Sequence, residues 1–251
     1  MESEFFGSPP FISQNVLEKC ISFLESAGQL NLIVRSSKLQ GAKIKEIDKF
    51  IAELKAFKRW AIDHEVERLA NDLFHFQCFI RSIQSSLETW LNIKNNEPES
   101  AWHSLMDAID YKDIALRIQD YEGIRKHEAL LIGAKRLLFP EKMIFNSPAF
   151  RSTIGTCSIC GAPFQSCDHI EDFIYSGRLC RRINISILEA NHSAIVENPR
   201  DPRCIMTERS DEDGNMINML SLELTGEKLG KTDNAMHVKG IILATKALDV
   251  E

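Results

Sequence analysis

The chain has 251 residues, of which 44% are hydrophobic and 26% are charged, as in ordinary globular proteins. This composition excludes a collagen-like, low-complexity or wholly disordered chain. The net charge of −6 argues against a globally basic nucleic-acid binder, although a local basic patch remains compatible with it. No apolar run reaches 18 residues and the acidic start Met1–Phe6 is unlike a secretory signal, so we predict no membrane span and a cytoplasmic location.

The first 35 residues predict one helix between two irregular segments. Residues 1–12 contain one Gly and two Pro and are expected to form an irregular arm. Ser13 is a candidate N-cap for the helix that follows, and Gly28 is a candidate stop. The short branched segment Leu30–Val34 fits either a strand or an extended link.

The next stretch, from Ala42 to Asn96, contains neither Gly nor Pro. Apolar side chains recur there in alternating steps of three and four residues, which predicts one very long helix over about 42–96 with a coiled-coil-like stripe. A phase shift interrupts the pattern near Phe57–Ile62. Such a helix must bury its stripe in a bundle or against another chain, so we expect a protein partner or self-association through it. The stripe consists of Val66, Leu69, Leu73, Phe76, Ile80, Ile83, Leu87 and Trp90.

The remaining sequence predicts shorter helices and then strands. Pro98 suits the first turn of a new helix, and a further helix is expected from about Lys112 to Leu138, closed by Pro140. Later turn signals at Asp211–Asn215 and a branched run at Gly240–Ala244 predict a hairpin and a last strand. We therefore predict an α+β fold with a helical bundle over residues 1–140, a linker over 141–152 and a β-containing domain over 153–251.

Four of the seven cysteines lie between residues 157 and 180, and this clustering predicts a Zn²⁺ site rather than a disulfide framework. A Cys-x-x-Cys-Gly turn at Cys157 and Cys160 supplies two thiolates from one tight loop. Cys167, His169 and Cys180 then compete for the two remaining places of a tetrahedral ion. We favour Cys180 as the third ligand, with Cys167 or His169 as the fourth. Because protein groups can fill all four places, a structural site is expected.

The cysteine segment resembles a short zinc-binding motif of phage and prophage proteins, some of them associated with capsid maturation. The shared pattern is Cys-x-x-Cys-Gly, then Cys-x-His, then Tyr-x-Gly-x-x-Cys, and this chain departs from it only at Asp172, where the family usually has Gly. The resemblance covers roughly 25–45 residues and implies a zinc-stabilised module linked to phages or to defence against them. The matching residues are Cys157, Cys160, Gly161, Cys167, His169, Tyr175, Gly177 and Cys180.

A weaker resemblance is to HNH-type nucleases. It implies that His169 activates water while Asp168 or His192 holds a divalent metal, with Asn184 as a further member. The second Cys-x-x-Cys of such enzymes is missing, because Cys180 is followed by Arg181, Arg182 and Ile183. A metal-dependent nuclease is nevertheless the main enzymatic alternative, because it gives His169 a different role.

Two further patterns offer weaker functional alternatives. Arg59-x4-His64 and Arg68-x6-His75 fit the Arg-x4–6-His pattern of small helical ribonucleases. A basic patch beside the cysteines, formed by Arg178, Arg181 and Arg182, offers contacts to nucleic-acid phosphates but is more typical of a solvated face. The function that we favour is a zinc-stabilised, non-enzymatic interaction or adaptor protein.

Overall fold

A computed structural model of the chain describes residues 9–230, 235–243 and 248–250. Within these ranges a helical N-terminal half precedes a strand-rich C-terminal half, which confirms the predicted α+β class. The helices are α1 (Pro9–Gly28), α2 (Ser37–Asp63), α3 (Glu67–Lys94), α4 (Pro98–Leu116) and α5 (Glu122–Leu138). The strands are β1 (Phe145–Ser152), β2 (Thr156–Cys157), β3 (Ile174–Tyr175), β4 (Arg178–Leu179), β5 (Arg182–Ile183), β6 (Ile187–Val196), β7 (Met206–Ser210), β8 (Asn215–Asn218), β9 (Leu224–Lys228) and β10 (Val238–Gly240).

The first helix begins earlier than the sequence suggested. Because α1 starts at Pro9, Ser13 lies inside the helix and the prediction that it caps the helix is wrong. Proline fits the first turn of a helix, where its missing N–H would be unsatisfied anyway. The predicted stop at Gly28 is confirmed, and Leu30–Val34 forms turns instead of a strand. Residues 1–8 of the predicted arm lie outside the described residues.

The single long helix predicted over 42–96 is wrong, because the chain breaks at residues 64–66. Glu65 has a φ of 57°, a left-handed conformation that reverses the chain without Gly or Pro. The two resulting helices pack antiparallel: Asp48 of α2 accepts a hydrogen bond from Arg81 of α3 at 2.8 Å, and Lys58 lies over the Phe74 ring. A hairpin buries both apolar stripes within one chain, whereas a straight rod would leave them exposed.

Helix α3 is the centre of the bundle, and the predicted stripe lies along it. Seven of the eight stripe residues are buried and Val66 is partly buried. They pack against α1, α2 and α4 of the same chain. The surface that we expected to dock a partner is therefore covered by the chain's own helices.

The two shorter helices divide at a different place from the one predicted. Helix α4 begins at Pro98, as predicted, but continues through Lys112 to Leu116. The break falls at residues 117–121, after which α5 runs to Leu138, two residues before Pro140. None of the described helices is both long and apolar enough to cross a membrane.

The predicted linker over 141–152 is wrong, because most of it is strand β1. This strand pairs antiparallel with β6, from Phe145 opposite Val196 to Ser152 opposite Ile187. Pro148 is tolerated there because a two-stranded ribbon has only edge strands, which can lack one N–H donor. The division of the chain into two domains near this point stays a prediction.

The last strands form a four-stranded antiparallel sheet in the order β10-β7-β8-β9. The predicted hairpin is confirmed: the Asp211 carboxylate accepts hydrogen bonds from the N–H groups of Asp213 and Asn215 in the turn between β7 and β8. The final strand ends at Gly240, where the predicted strand was expected to begin, and Ala244 lies outside the described residues.

Two apolar clusters join the helical and strand-rich parts. In one, Trp102 of α4 packs with Phe145 and Ile205 from the C-terminal half. In the other, Leu179 of β4 and Val250 pack against the core of α2 and α3. The second cluster places the cysteine-rich loops beside α3.

Candidate metal centre

The Cys157–Gly161 segment forms a tight turn that presents two sulfurs. Gly161 N–H donates to Cys157 O at 2.9 Å, and Gly161 has a φ of 73°, a conformation that favours glycine. Ile159 N–H donates to Cys157 Sγ at 3.3 Å, so the turn aims backbone dipoles at the first sulfur. Cys157 is fully buried and Cys160 is exposed.

The second pair of potential ligands follows a short 3-10 turn at Phe164–Ser166. His169 N–H donates to Cys167 Sγ at 3.2 Å, which folds the Cys-x-His segment back on itself. The His169 ring meets the Tyr175 ring edge to face, with centroids 4.6 Å apart. Tyr175 Oη also accepts a hydrogen bond from Ile170 N–H at 3.0 Å, so this tyrosine fixes the orientation of the imidazole.

These two segments bring four ligand atoms together, from Cys157, Cys160, Cys167 and His169, all within 4.8 Å of one another. The sulfurs of Cys160 and Cys167 are 3.4 Å apart, and His169 Nδ1 lies 3.2 Å from Cys167 Sγ. Two sulfurs bound tetrahedrally to one zinc ion at its usual bond length are about 3.8 Å apart. The observed spacing is therefore within a few tenths of an ångström of a zinc site, and the four groups can hold a metal ion.

The thiols of this cluster compete for negative charge. Burial opposes ionisation of Cys157, but hydrogen bonds from the N–H groups of Cys160 and Ile159 and from neighbouring thiols lower its pKa to about 6. Burial and the neighbouring thiolate raise the pKa of Cys167 to about 11. Close thiolates repel each other unless a cation balances them. The arrangement therefore favours a divalent ion, which binds thiolates and not thiols.

Cys180 lies beside the cluster but outside the group of four. Its sulfur is 3.8 Å from Cys157 Sγ, and it is fully buried. Burial, together with the charge of Cys157, raises the pKa of Cys180 to about 12. The structure thus brings together both Cys167 and His169, which we had treated as alternatives, and places Cys180 beside Cys157 but outside the group of four. Which four of the five groups bind the metal stays a prediction.

The β3–β4 hairpin holds this loop against the helical bundle. Gly177 has a φ of 70°, and a Cβ at this position would lie 2.6 Å from Ala70 O of α3. Gly177 N–H donates to Asn71 Oδ1 at 2.7 Å. Sequence reasoning missed Asn71, because an asparagine within a helical pattern carries no local signal of its distant partner.

Asp172, the one departure from the phage-type motif, has a φ of 68°. A left-handed residue is favourable for glycine, and among other residues Asp and Asn tolerate it best. Asp172 N–H donates to Cys180 O at 2.8 Å, and Arg117, the residue after α4, donates to Asp172 O. An aspartate is therefore compatible with the backbone conformation at this position.

The residues of the nuclease alternative do not form a metal group. Among the described residues, the cluster of potential ligands contains His169 but neither Asp168 nor His192. Asp168 is exposed, and His192 lies on β6 opposite Ala149. Asn184 donates to Thr156 Oγ1, a contact that connects the two ends of the cysteine loop.

The ribonuclease pattern gains little from the structure. His75 is fully buried, with Nδ1 3.0 Å from Ala115 O and Nε2 3.1 Å from Tyr121 Oη. Burial lowers its pKa, so this histidine stays neutral and packed inside the bundle. His64 is exposed at the end of α2, where its ring stacks on Trp60.

The predicted basic patch is divided. Arg182 donates to both carboxylate oxygens of Glu171, at 2.9 and 3.0 Å, and so is engaged locally. Arg178 and Arg181 line a cleft toward α2.

No family model matches the chain, and neither a curated protein nor a solved structure matches it.

Proposed function

We propose that this chain is a zinc-stabilised interaction protein without catalytic activity of its own. The observation that carries the proposal is the cluster of Cys157, Cys160, Cys167 and His169, whose ligand atoms lie within 4.8 Å of one another. Three thiolates and one imidazole form a set that suits zinc, and they leave no open position for water. A closed coordination shell is typical of structural zinc.

The need for a metal follows from how little apolar surface this segment buries. Between residues 153 and 183 the buried apolar side chains are those of Cys157, Leu179 and Cys180, two of which are themselves candidate ligands. Ile170 and Phe173 are more than half exposed. A segment with so small a core needs another source of folding free energy, which a structural zinc supplies.

The interaction role is proposed for a surface other than the apolar stripe of α3. The apolar stripe of α3 is already buried by the chain itself, so association through it would require the bundle to open. The β1–β6 ribbon has exposed apolar side chains instead, including Phe150, Leu188 and Ile195. A two-stranded ribbon with exposed apolar side chains is suited to a protein partner or to a second copy.

This surface can be tested by light scattering and by capture experiments with Leu188→Lys combined with Ile195→Lys. If the ribbon binds a second copy or a partner, the double variant loses the association while keeping its metal. Association that persists unchanged in the double variant would remove the ribbon from the proposal.

A role connected with phages, or with defence against them, is proposed from the motif resemblance. The support is the eight matching residues over 157–180, together with a left-handed backbone at Asp172, where the motif usually has Gly. Phage genes next to the gene for this chain, or a change in plaque number when the chain is expressed in a bacterial host, would support this role. A chromosomal setting without phage or defence genes and unchanged plaque numbers would count against it.

The metal itself is tested by elemental analysis and by two cysteine variants. We expect about one zinc ion per chain in the wild type. Cys160→Ala removes an exposed side chain with little packing, yet it should abolish tight zinc binding and lower the unfolding temperature. Cys78→Ala is the control, because it removes a buried thiol of α3 and should cost stability without changing the zinc content. A metal-free but fully folded wild type would refute the proposal.

The ligand set is tested by comparing Cys167→Ala with Cys180→Ala in protein loaded with Co²⁺. If Cys167 is a ligand and Cys180 is not, the thiolate-to-cobalt absorption falls in the first variant and is unchanged in the second. The opposite pattern would restore the set that includes Cys180.

Two further variants distinguish a structural metal site from a nuclease. If His169→Ala stays folded, keeps its zinc and loses a DNA cleavage activity present in the wild type, the enzymatic alternative is correct. If His169→Ala and Cys157→Ser both lose zinc and stability, and the wild type cleaves no DNA with zinc or magnesium, the structural role is supported.

A further inference from the structure

A cleft of about 780 Å³ lies between α2 and the metal-binding loops, with the C-terminal segment along one side. Five basic side chains line it: Lys55, Lys58 and Arg59 from α2, and Arg178 and Arg181 from the β4–β5 region. We call it the cationic cleft. Its basic residues come from two parts of the sequence about 120 residues apart, so only the fold brings them together.

The charge of the cationic cleft is poorly balanced by the protein itself. The one acidic side chain among its lining residues is Asp249. Its carboxylate forms ion pairs with Lys55 and with Arg81, and Arg81 Nη2 lies 2.8 Å from Asp249 Oδ2. Across the part of the chain that the structure describes, the side chains of Arg59, Arg178 and Arg181 form no ion pair. Positive charge in a concave site with low-dielectric walls attracts anions even when the protein as a whole is acidic.

Arg178, which lines the cationic cleft, has an unsatisfied side-chain donor. Its Nε atom is buried, and among the described residues it has no hydrogen-bond partner. A buried donor without an acceptor is costly, and a charged donor especially so. Because this atom has almost no accessible surface, an anionic oxygen in the cleft reaches it only if the guanidinium turns toward the cleft.

The neighbouring Arg182 shows the contrast. Its Nε donates to Glu171, and its guanidinium carbon lies 5.9 Å from the centroid of the Phe164 ring. It does not line the cleft. The sequence patch of three arginines is thus replaced, in the structure, by Arg178 and Arg181 together with the basic side chains of α2.

The Cys157–Gly161 turn is hydrogen-bonded to the segment that carries Arg178 and Arg181. Ser158, which lies between Cys157 and Cys160, donates its N–H to Arg181 O at 2.9 Å. Its Oγ accepts from Arg181 N–H at 2.9 Å and donates to Leu179 O at 3.1 Å. The Cys157–Gly161 turn therefore holds the backbone at Leu179 and Arg181, two residues that line the cleft.

We propose that the cationic cleft binds a phosphate-bearing ligand of nucleotide size. A volume of about 780 Å³ is within the range of small-molecule pockets. Guanidinium groups match the geometry of phosphate oxygens, and the apolar side chains of Ile62, Ile183 and Leu248 offer a wall for a base. The phosphate is either that of a free nucleotide or that of a single-stranded nucleic acid, and the two sources are separated by experiment.

The test measures binding of ADP and of an oligothymidylate single strand to the zinc-loaded full chain, by calorimetry at near-physiological salt. We expect binding of at least one probe, and weakening of about tenfold for Arg59→Gln and for Arg181→Gln. Arg182→Gln is the matched control, because it removes the same charge one residue away, outside the cleft, and should change the affinity less than twofold. Zinc content and circular dichroism verify that each variant is folded.

The outcomes separate the proposal from its alternatives. Tight binding of ADP identifies a nucleotide as the ligand class, and binding of the oligonucleotide alone identifies a phosphodiester. If neither ADP nor the oligonucleotide binds at millimolar concentration, the proposal is overturned. Equal loss of affinity in Arg181→Gln and Arg182→Gln would also overturn it, because it would show unspecific attraction. A chain that holds zinc but binds neither probe leaves the structural role of the metal intact, so the two proposals fail separately.

Discussion

A buried ion cluster around Arg203 connects α4 to the segment that precedes β7. Arg203 Nη2 donates to Asp107 Oδ1 and to Asp110 Oδ2, both at 2.7 Å, and Nε donates to Asp107 Oδ1 at 3.0 Å. Nη1 lies 3.1 Å from Asp201 Oδ1. The side chains of Arg203 and Asp107 are 9% and 4% exposed, so solvent screens their interaction only weakly.

The substitution Arg203→Met keeps an unbranched, flexible side chain, although a shorter one, and removes its charge. It leaves Asp107 buried without its cation, beside Asp110, whose pKa is already raised by burial despite the arginine. Breaking a buried ion pair from one side costs about 3–5 kcal/mol. Since small and medium domains have a total stability of about 5–15 kcal/mol, the variant is expected to be folded but markedly less stable.

Urea unfolding of wild type, Arg203→Met, Asp107→Asn and the double variant at pH 7 gives the coupling energy between the two side chains. The double variant should be more stable than the sum of the single losses implies. The loss in Arg203→Met should also shrink toward pH 4, because protonation of the uncovered carboxylates removes their charge. A loss below about 1 kcal/mol at pH 7, or additive single losses, would refute the view that this cluster holds the two parts of the chain together.

Two further predictions concern other buried positions. Burial lowers the pKa of His127 to about 4, and its Nε2 lies 2.8 Å from Ser82 Oγ. Because the unfolded chain takes up a proton on this histidine at higher pH than the folded chain does, this group should lower the wild-type stability by about 2 kcal/mol between pH 7 and pH 4.5. In urea titrations, His127→Gln should lose that part of the dependence of stability on pH. An unchanged slope in the variant would contradict this assignment. Gly177→Ala should cost about 3 kcal/mol, because it combines a left-handed alanine with a Cβ 2.6 Å from Ala70 O. Gly226→Ala, also left-handed but with nothing within 4 Å, should cost only about 1 kcal/mol. Thermal unfolding of both variants measures the two losses, and equal losses would show that the β3–β4 hairpin does not depend on its close approach to α3.

Local signals in the sequence were reliable where short-range chemistry sets the structure. The stop at Gly28, the start of α4 at Pro98 and the hairpin turn after Ser210 follow from backbone preferences of single residues. The metal cluster also belongs here, because a Cys-x-x-Cys-Gly turn and a Cys-x-His turn each bring their own two ligands close.

Long-range choices could not be read from the same signals. Nothing local separates one helix over 42–96 from two helices joined at Glu65, because both satisfy the same apolar period and the difference lies in which surface buries the stripe. In the same way, Pro148 indicates a linker until a partner strand is available to pair with β1.

The sequence by itself therefore determined the α+β class, the cysteine and histidine side chains that can hold a metal ion, and the turns that present them. The tertiary structure decided that the apolar stripe is buried inside the chain, that Asn71 holds the Gly177 turn, and that Arg59 faces the same cleft as Arg181. The physical reason is range: turn geometry and ligand spacing are fixed within a few residues, whereas burial and charge balance depend on groups that only the completed fold brings together.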